Sequence, residues 1–248
     1  MKNIFKFRLH PLFYVVVIIF VLTGHFHDFF LFLSIILFHE MGHIIGGILF
    51  KWKIKELLIL PFGALTIFDE GLNKPLKQEF IIAVSGPIFQ IIYYLLFKNK
   101  FEITSLHYSL LIFNLLPISP LDGSKIMNVF FNKIFSFKRS YFLTLIISVF
   151  LLILLILFSC YYFNFLVILI MFFLGVKVYQ EIINFKYIFD KFLYERYCNN
   201  INYLRLKRIN EVNLAKIYKD YRHLFYDKEK CYTEREILRK RFDFKGKL

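Results

Sequence analysis

From Phe29 to Phe50 the chain carries no charge except inside one pentapeptide, His39-Glu40-Met41-Gly42-His43. A run of that length, wound as a helix, spans about 30 Å, the thickness of a bilayer's hydrocarbon core. Positions i and i+4 of a helix share a face. His39 and His43 can therefore reach one metal ion, while Glu40, one step round, can take a proton from an attacking water. Chance is a weak explanation here. Each ionisable side chain at membrane depth costs roughly 2.5 kcal/mol or more, so three within five positions imply a partner or a task.

The rest of the chain agrees with a membrane setting. Hydrophobic residues make up 58% of the 248 residues, with 34 Phe and 16 Tyr, and the mean hydropathy is +0.57. Apolar runs predict six spans, at about 11–26, 29–50, 79–97, 103–130, 141–162 and 165–180. Lysines and arginines alternate between the links. Lys2, Lys6 and Arg8 precede the first span, Lys51, Lys53, Lys55, Lys74 and Lys77 follow the second, Lys98 and Lys100 lie in the third link, and Lys133, Lys138 and Arg139 follow the fourth. The links around Asp28 and Asn164 have none, so both termini are expected in the cytoplasm of a multi-pass cell-membrane protein. The formal charge of +14 is then a record of cytoplasmic loops, and nucleic acid is not expected as a partner. The apolar run after His10 lacks a small-residue cleavage site and reads as a span, not a removable signal. Cys160, Cys198 and Cys231 lack ligand spacing and read as bystanders.

Two histidines do not complete a zinc site, since catalytic zinc takes three protein ligands and leaves the fourth position for water. The run Asn114-Leu115-Leu116-Pro117-Ile118-Ser119-Pro120-Leu121-Asp122-Gly123 supplies a candidate. Prolines open a helix, and opened backbone at membrane depth is tolerated where protein or a wet cavity surrounds it, so Asp122 can turn inward as the third ligand. Alternatively Asp122 caps a helix or sits at the cytoplasmic interface. With the second and fourth spans both running inward, a metal held by these residues belongs in the cytoplasmic half of the bilayer.

The two segments, His39–His43 and Asn114–Gly123, resemble the signature segments of the site-2 protease family of intramembrane zinc metalloproteases. Arg8-Leu9-His10-Pro11, Leu22-Thr23-Gly24-His25, Leu60-Pro61-Phe62-Gly63, the run from Asn73 to Phe80, Ser85-Gly86-Pro87 and the run from Phe192 to Tyr197 extend the resemblance to a sporulation subgroup, over roughly residues 8–198. It implies six membrane helices, one zinc held by His39, His43 and Asp122, and Glu40 as general base. Within the sporulation subgroup it implies release of a membrane-tethered pro-sigma factor. Ser124 and Ala64 stand where the family commonly has glycine, and residues 199–248 are short for the subgroup's nucleotide-sensing regulatory domain.

The expected protein is therefore an all-α polytopic membrane protein of about six spans, residues 1–180, followed by a short, basic, helical cytoplasmic tail, residues 181–248. From residue 181 there are 17 Lys and Arg against 10 Asp and Glu. That tail docks a substrate or inhibitory partner, or rests on anionic lipid. Lys53 to Asp69 is expected either as a membrane-dipping hairpin that pairs with an extended substrate strand, or as an ordinary amphipathic loop. Asn114 offers an amide to substrate or transition state, or bonds the carbonyls freed near Pro117. His10, His25 and His27 read as interfacial, His107 as a packed helix histidine, and Ser85-Gly86-Pro87 as a site of close helix packing. The expected partners are a membrane-tethered substrate, membrane inhibitor or scaffold proteins, and the lipid bilayer. Readings kept beside the protease are a catalytically silent scaffold of the same fold, cleavage of an anti-sigma factor or signal-peptide remnant, and a metal transporter.

Overall fold

The computed structural model describes residues 6–60, 63–100, 102–161, 165–199, 203, 205–227 and 230–243. Lys2, Pro61, Phe62 and the link at Asn164 lie outside them. In chain order the elements are β1 (Lys6–Leu9), α1 (Pro11–Thr23), α2 (Phe26–Leu49), β2 (Ile54–Leu60), β3 (Gly63–Phe68) and α3 (Leu76–Phe97). Next come α4 (Thr104–Leu115), α5 (Asp122–Ile134), α6 (Phe137–Tyr161) and α7 (Phe165–Cys198). Strands β4 (Arg205–Ile209), β5 (Tyr221–Asp227) and β6 (Lys230–Thr233) precede the final helix α8 (Glu234–Phe242).

Among the described residues, four helices are long and apolar enough to cross a membrane: Phe26–Leu49, Leu76–Phe97, Phe137–Ser159 and Val167–Cys198. The first expected span is a shorter apolar helix, and the fourth is not one helix. It breaks after Leu115 into α4 and α5, each about 20 Å long, with residues 116–121 outside both. Pro117 and Pro120 account for the break, because neither can donate to a preceding carbonyl.

The described residues form two compact units. The first holds residues 1–70, 80–116 and 121–123, the second 71–79, 117–120 and 124–248. In the first, β2 and β3 form an antiparallel pair with Leu60 opposite Gly63, and β1 adds to β2 in parallel, giving the order β1-β2-β3. The segment expected as hairpin or loop is thus a strand pair. Strand β3 lies along α2. Ala64 packs on the cluster of Leu31, Ile35, Ile36 and Tyr93, Thr66 reaches Glu40, and the Phe68 ring fills the place a side chain at Gly47 would take, 2.4 Å from its Cβ position. Helices α2 and α3 meet through small residues, since a Cβ at Gly42 would lie 2.4 Å from the Ser85 carbonyl oxygen.

In the second unit, Phe137 stacks on Phe192 with centroids 3.9 Å apart, in a core shared with Phe189, Leu193, Ile217, Phe225 and Leu238. Glu181 of α7 accepts bonds from the Ser119 hydroxyl at 2.5 Å and from Tyr141 at 3.1 Å, which ties down the loop at 117–120. The expectation of a purely helical tail starting at residue 181 fails in two ways. Helix α7 runs on to Cys198, because Phe189, Phe192 and Leu193 keep helical spacing into the core. Beyond it, His223 and Phe225 are buried in alternation with exposed or half-buried neighbours, the period of a strand, so β4, β5 and β6 form a sheet before α8. A capping box between Thr233 and Glu236 starts that last helix.

Candidate metal centre

His39, Glu40 and His43 are all buried on α2, with 3–4% of their surfaces exposed. The Nε2 atoms of the two histidines are 3.2 Å apart. Asp122, first residue of α5, places Oδ2 2.8 Å from the His39 nitrogen and 2.9 Å from that of His43. Gly123 makes this turn possible, since a Cβ there would lie 2.1 Å from the Leu115 carbonyl oxygen. The pentapeptide and the distant aspartate thus converge on one point.

Proton accounting shows what that point is suited to hold. His43 Nδ1 lies 2.8 Å from the Ile82 carbonyl oxygen, which can only accept, so Nδ1 carries the hydrogen. His39 Nδ1 lies 2.9 Å from Gln90 Oε1, and Gln90 Nε2 donates to the His107 carbonyl at 3.1 Å. The reverse amide orientation would set two oxygens against each other, so His39 Nδ1 also carries its hydrogen. In the neutral rings both Nε2 atoms then aim lone pairs at each other and at a carboxylate oxygen. With both Nδ1 hydrogens so placed, two imidazole nitrogens and one carboxylate oxygen make a donor set that could hold a cation.

Space is reserved for that cation. A Cβ on Gly86 would lie 2.3 Å from His43 Nε2 and 2.8 Å from His39 Nε2, so only glycine keeps the front of both nitrogens open. Zinc–imidazole bonds of about 2.0–2.1 Å fit this gap, and two imidazoles with one carboxylate form a donor set typical of catalytic zinc. Glu40 lies close as well, its donor atom within 4.8 Å of those of His39 and His43. Its Oε2, however, accepts a 2.7 Å bond from the Thr66 hydroxyl, whereas Asp122 sits directly against both ring nitrogens. The geometry therefore sets Asp122, more closely than Glu40, against both ring nitrogens.

Other expected residues divide. The His107 ring stacks on Tyr94 at 4.3 Å and stays out of the cluster; its backbone carbonyl orients Gln90. Asn114 is half-buried in the last turn of α4 and, among the described residues, makes no side-chain hydrogen bond to the cluster. His25 lies 3.3 Å from Asp28 on the surface and takes no part in the cluster. Gln90 and Thr66 were not anticipated, although an amide within an apolar span is itself a signal.

The second unit holds another buried histidine–carboxylate contact. His223 Nδ1 lies 2.9 Å from Glu234 Oε2, and His223 Nε2 accepts from the Tyr218 backbone N–H at 3.0 Å. Arg196 donates to Glu234 Oε1 at 2.7 Å, to Asn73 Oδ1 at 2.8 Å and to the Tyr218 carbonyl at 2.9 Å. Burial pushes the His223 imidazole below its ordinary range, outweighing the Glu234 carboxylate beside it. Burial also acts to raise Glu234, but hydrogen bonds and charge from His223 and Arg196 overcome it and hold that carboxyl low.

The chain is similar to several known proteins. The family model described as Peptidase family M50 matches residues 28–99. The chain is 33% identical over 212 residues to stage IV sporulation protein FB of Bacillus subtilis, covering 78% of this chain and 72% of that protein. It is 30% identical over 124 residues to a zinc metalloprotease of Methanocaldococcus jannaschii, covering 44% of this chain and 35% of the relative. Among solved structures, the site-2 protease from Methanocaldococcus jannaschii shares the fold with a TM-score of 0.57 and 22% identity, over 73% of this chain and 93% of that one.

Proposed function

This chain belongs to peptidase family M50, the site-2 proteases, and from that premise we propose that it is an intramembrane zinc metalloprotease cutting a membrane-tethered protein near the cytoplasmic face. The observation that carries this reading is the convergence of two imidazole Nε2 atoms and one carboxylate oxygen in front of Gly86. His39, His43 and Asp122 would hold one zinc ion. When bound, zinc supplies a Lewis acid that polarises the scissile carbonyl and lowers the pKa of water toward about 7.

The chain's own residues do the rest. Gln90 and the Ile82 carbonyl fix the tautomers that present Nε2 of both histidines. Glu40 takes a proton from the attacking water and returns it to the leaving amine nitrogen. A helical substrate hides its peptide bonds in i to i−4 hydrogen bonds and must first be drawn out. Among the described residues no strand pairs with the far edge of β3, and β3 runs beside Glu40, so an extended substrate adding there lies next to the base. Asn114 is assigned to the substrate's backbone.

The alternation of basic links supports cytoplasmic termini and a site in the cytoplasmic half of the bilayer. Similarity to a sporulation protein supports a membrane-tethered pro-sigma factor as the substrate, with membrane inhibitor or scaffold proteins as partners. The test is co-expression with tagged membrane-tethered candidates: a pro-sigma factor, an anti-sigma factor and a signal-peptide remnant. Cleavage of the pro-sigma factor by wild type and not by Glu40→Gln is expected. Cleavage of another candidate alone reassigns the substrate, and equal cleavage by both proteins contradicts the mechanism.

A further inference from the structure

Glu40 is a flexible side chain required to hold a defined place beside a metal, and something outside α2 must hold it. The Thr66 hydroxyl meets that need, donating to Glu40 Oε2 at 2.7 Å with both residues buried. A hydroxyl bonded to a carboxylate is a charge-assisted bond, strong where water is scarce. Thr66 is itself well anchored. It is β-branched and stiff at χ1, it pairs with Leu57 in the β2–β3 ladder, and two residues on, Phe68 is wedged against Gly47 of α2.

We propose that Thr66 is a positioning residue that ties the general base to strand β3, so that the strand receiving the substrate also sets the base. This rests on the metalloprotease reading above. A substrate strand adding to the open edge of β3 engages the same element whose inner face carries Thr66, so seating of substrate and placement of Glu40 are coupled through one backbone. The role differs from that of Gln90, which bears on metal affinity. Thr66 bears on turnover alone.

The experiment compares Thr66→Val and Thr66→Ala, which remove the donor, with Thr66→Ser, which keeps it. The probe is a dye-quenched single-span peptide selected by the wild type from a pool with randomised central residues, in phosphatidylcholine–phosphatidylglycerol vesicles. Zinc per chain is measured on the same samples. Loss of a hydrogen bond to a charged group predicts a kcat about 10- to 100-fold lower in both donor-free variants, with KM within about twofold, zinc unchanged and kcat restored in the serine variant. Wild-type kcat in Thr66→Val overturns the proposal. So does zinc loss in the donor-free variants, or a serine variant as slow as alanine, since either marks a purely structural residue. A zinc-loaded wild type that cuts nothing in the pool overturns the protease reading beneath it, an outcome distinct from a wild type that cuts and a valine variant that keeps pace.

Discussion

Among the described residues, two buried clusters each set a histidine nitrogen 2.9 Å from a carboxylate oxygen, His43 on Asp122 and His223 on Glu234. Distance alone does not tell them apart; the proton count does. At His223 every polar atom closes: Nδ1 donates to Glu234, Nε2 accepts from Tyr218, and Arg196 supplies the positive charge for the carboxylate. At His43 the proton is already committed to the Ile82 carbonyl, the His39 proton to Gln90, and three acceptors face one another. The first arrangement is complete as a fold element. The second is the donor set of the proposed metal site, and Gly86 keeps the space before both ring nitrogens open.

The comparison can be broken by variants that act on one cluster and spare the other. The largest effect is expected from Glu40→Gln, which keeps all three proposed ligands and removes only the base. Cleavage should fall by about 10²- to 10⁴-fold while zinc content holds, read by peptide turnover and elemental analysis together. Next is Arg196→Met, which strips the cation from a buried carboxylate and should destabilise the second unit by about 3–5 kcal/mol. Faster hydrogen exchange in β5 and α8, with unchanged zinc, checks it. Retained exchange protection would mean that Glu234 does not depend on Arg196. A smaller effect follows from Gln90→Leu, which frees the His39 tautomer and should weaken zinc binding by about 10- to 100-fold in a chelator competition.

Acidification sharpens the contrast at the smallest scale. The folded His223 titrates below its unfolded value of about 6.5, so the unfolded chain binds the extra proton first, and stability is lost as pH falls from about 6.5 toward the folded value. Glu234, held low, adds a second loss as pH falls below about 4.5 toward its own folded value. Lys207 and Arg196 both bear on the His223 ring and oppose its protonation. Exchange protection of β5 measured from pH 7.5 down to pH 5 should therefore decline, and protection that rises would show that His223 is stabilised in its charged form.

How much of this was legible in the sequence follows from what each residue depends on. His39, Glu40 and His43 announce themselves because helical spacing and an uncharged setting are local properties. Asp122 is legible through the prolines that open the chain before it, and the turn at Gly123 agrees. Gly86 was read only for helix packing. That reading suits its neighbour Ser85 against Gly42, but the opening in front of two imidazoles depends on how α3 crosses α2. Thr66 and Gln90 are tertiary facts of the same kind, 26 and 51 residues from the groups they hold. The tail misleads for another reason: its Leu, Ile, Phe and Tyr suit helical spacing on paper, while burial of His223 and Phe225 follows a period of two.

The most direct test of the central claim is zinc content per chain, by elemental analysis of detergent-purified protein, in wild type, Asp122→Ala and Gly86→Ala forms that elute as folded species. About one zinc is expected in wild type and none in either variant, the first lacking a ligand and the second filling the metal's place with a methyl group. A folded wild type without zinc, or zinc retained at full occupancy without Asp122, would contradict it.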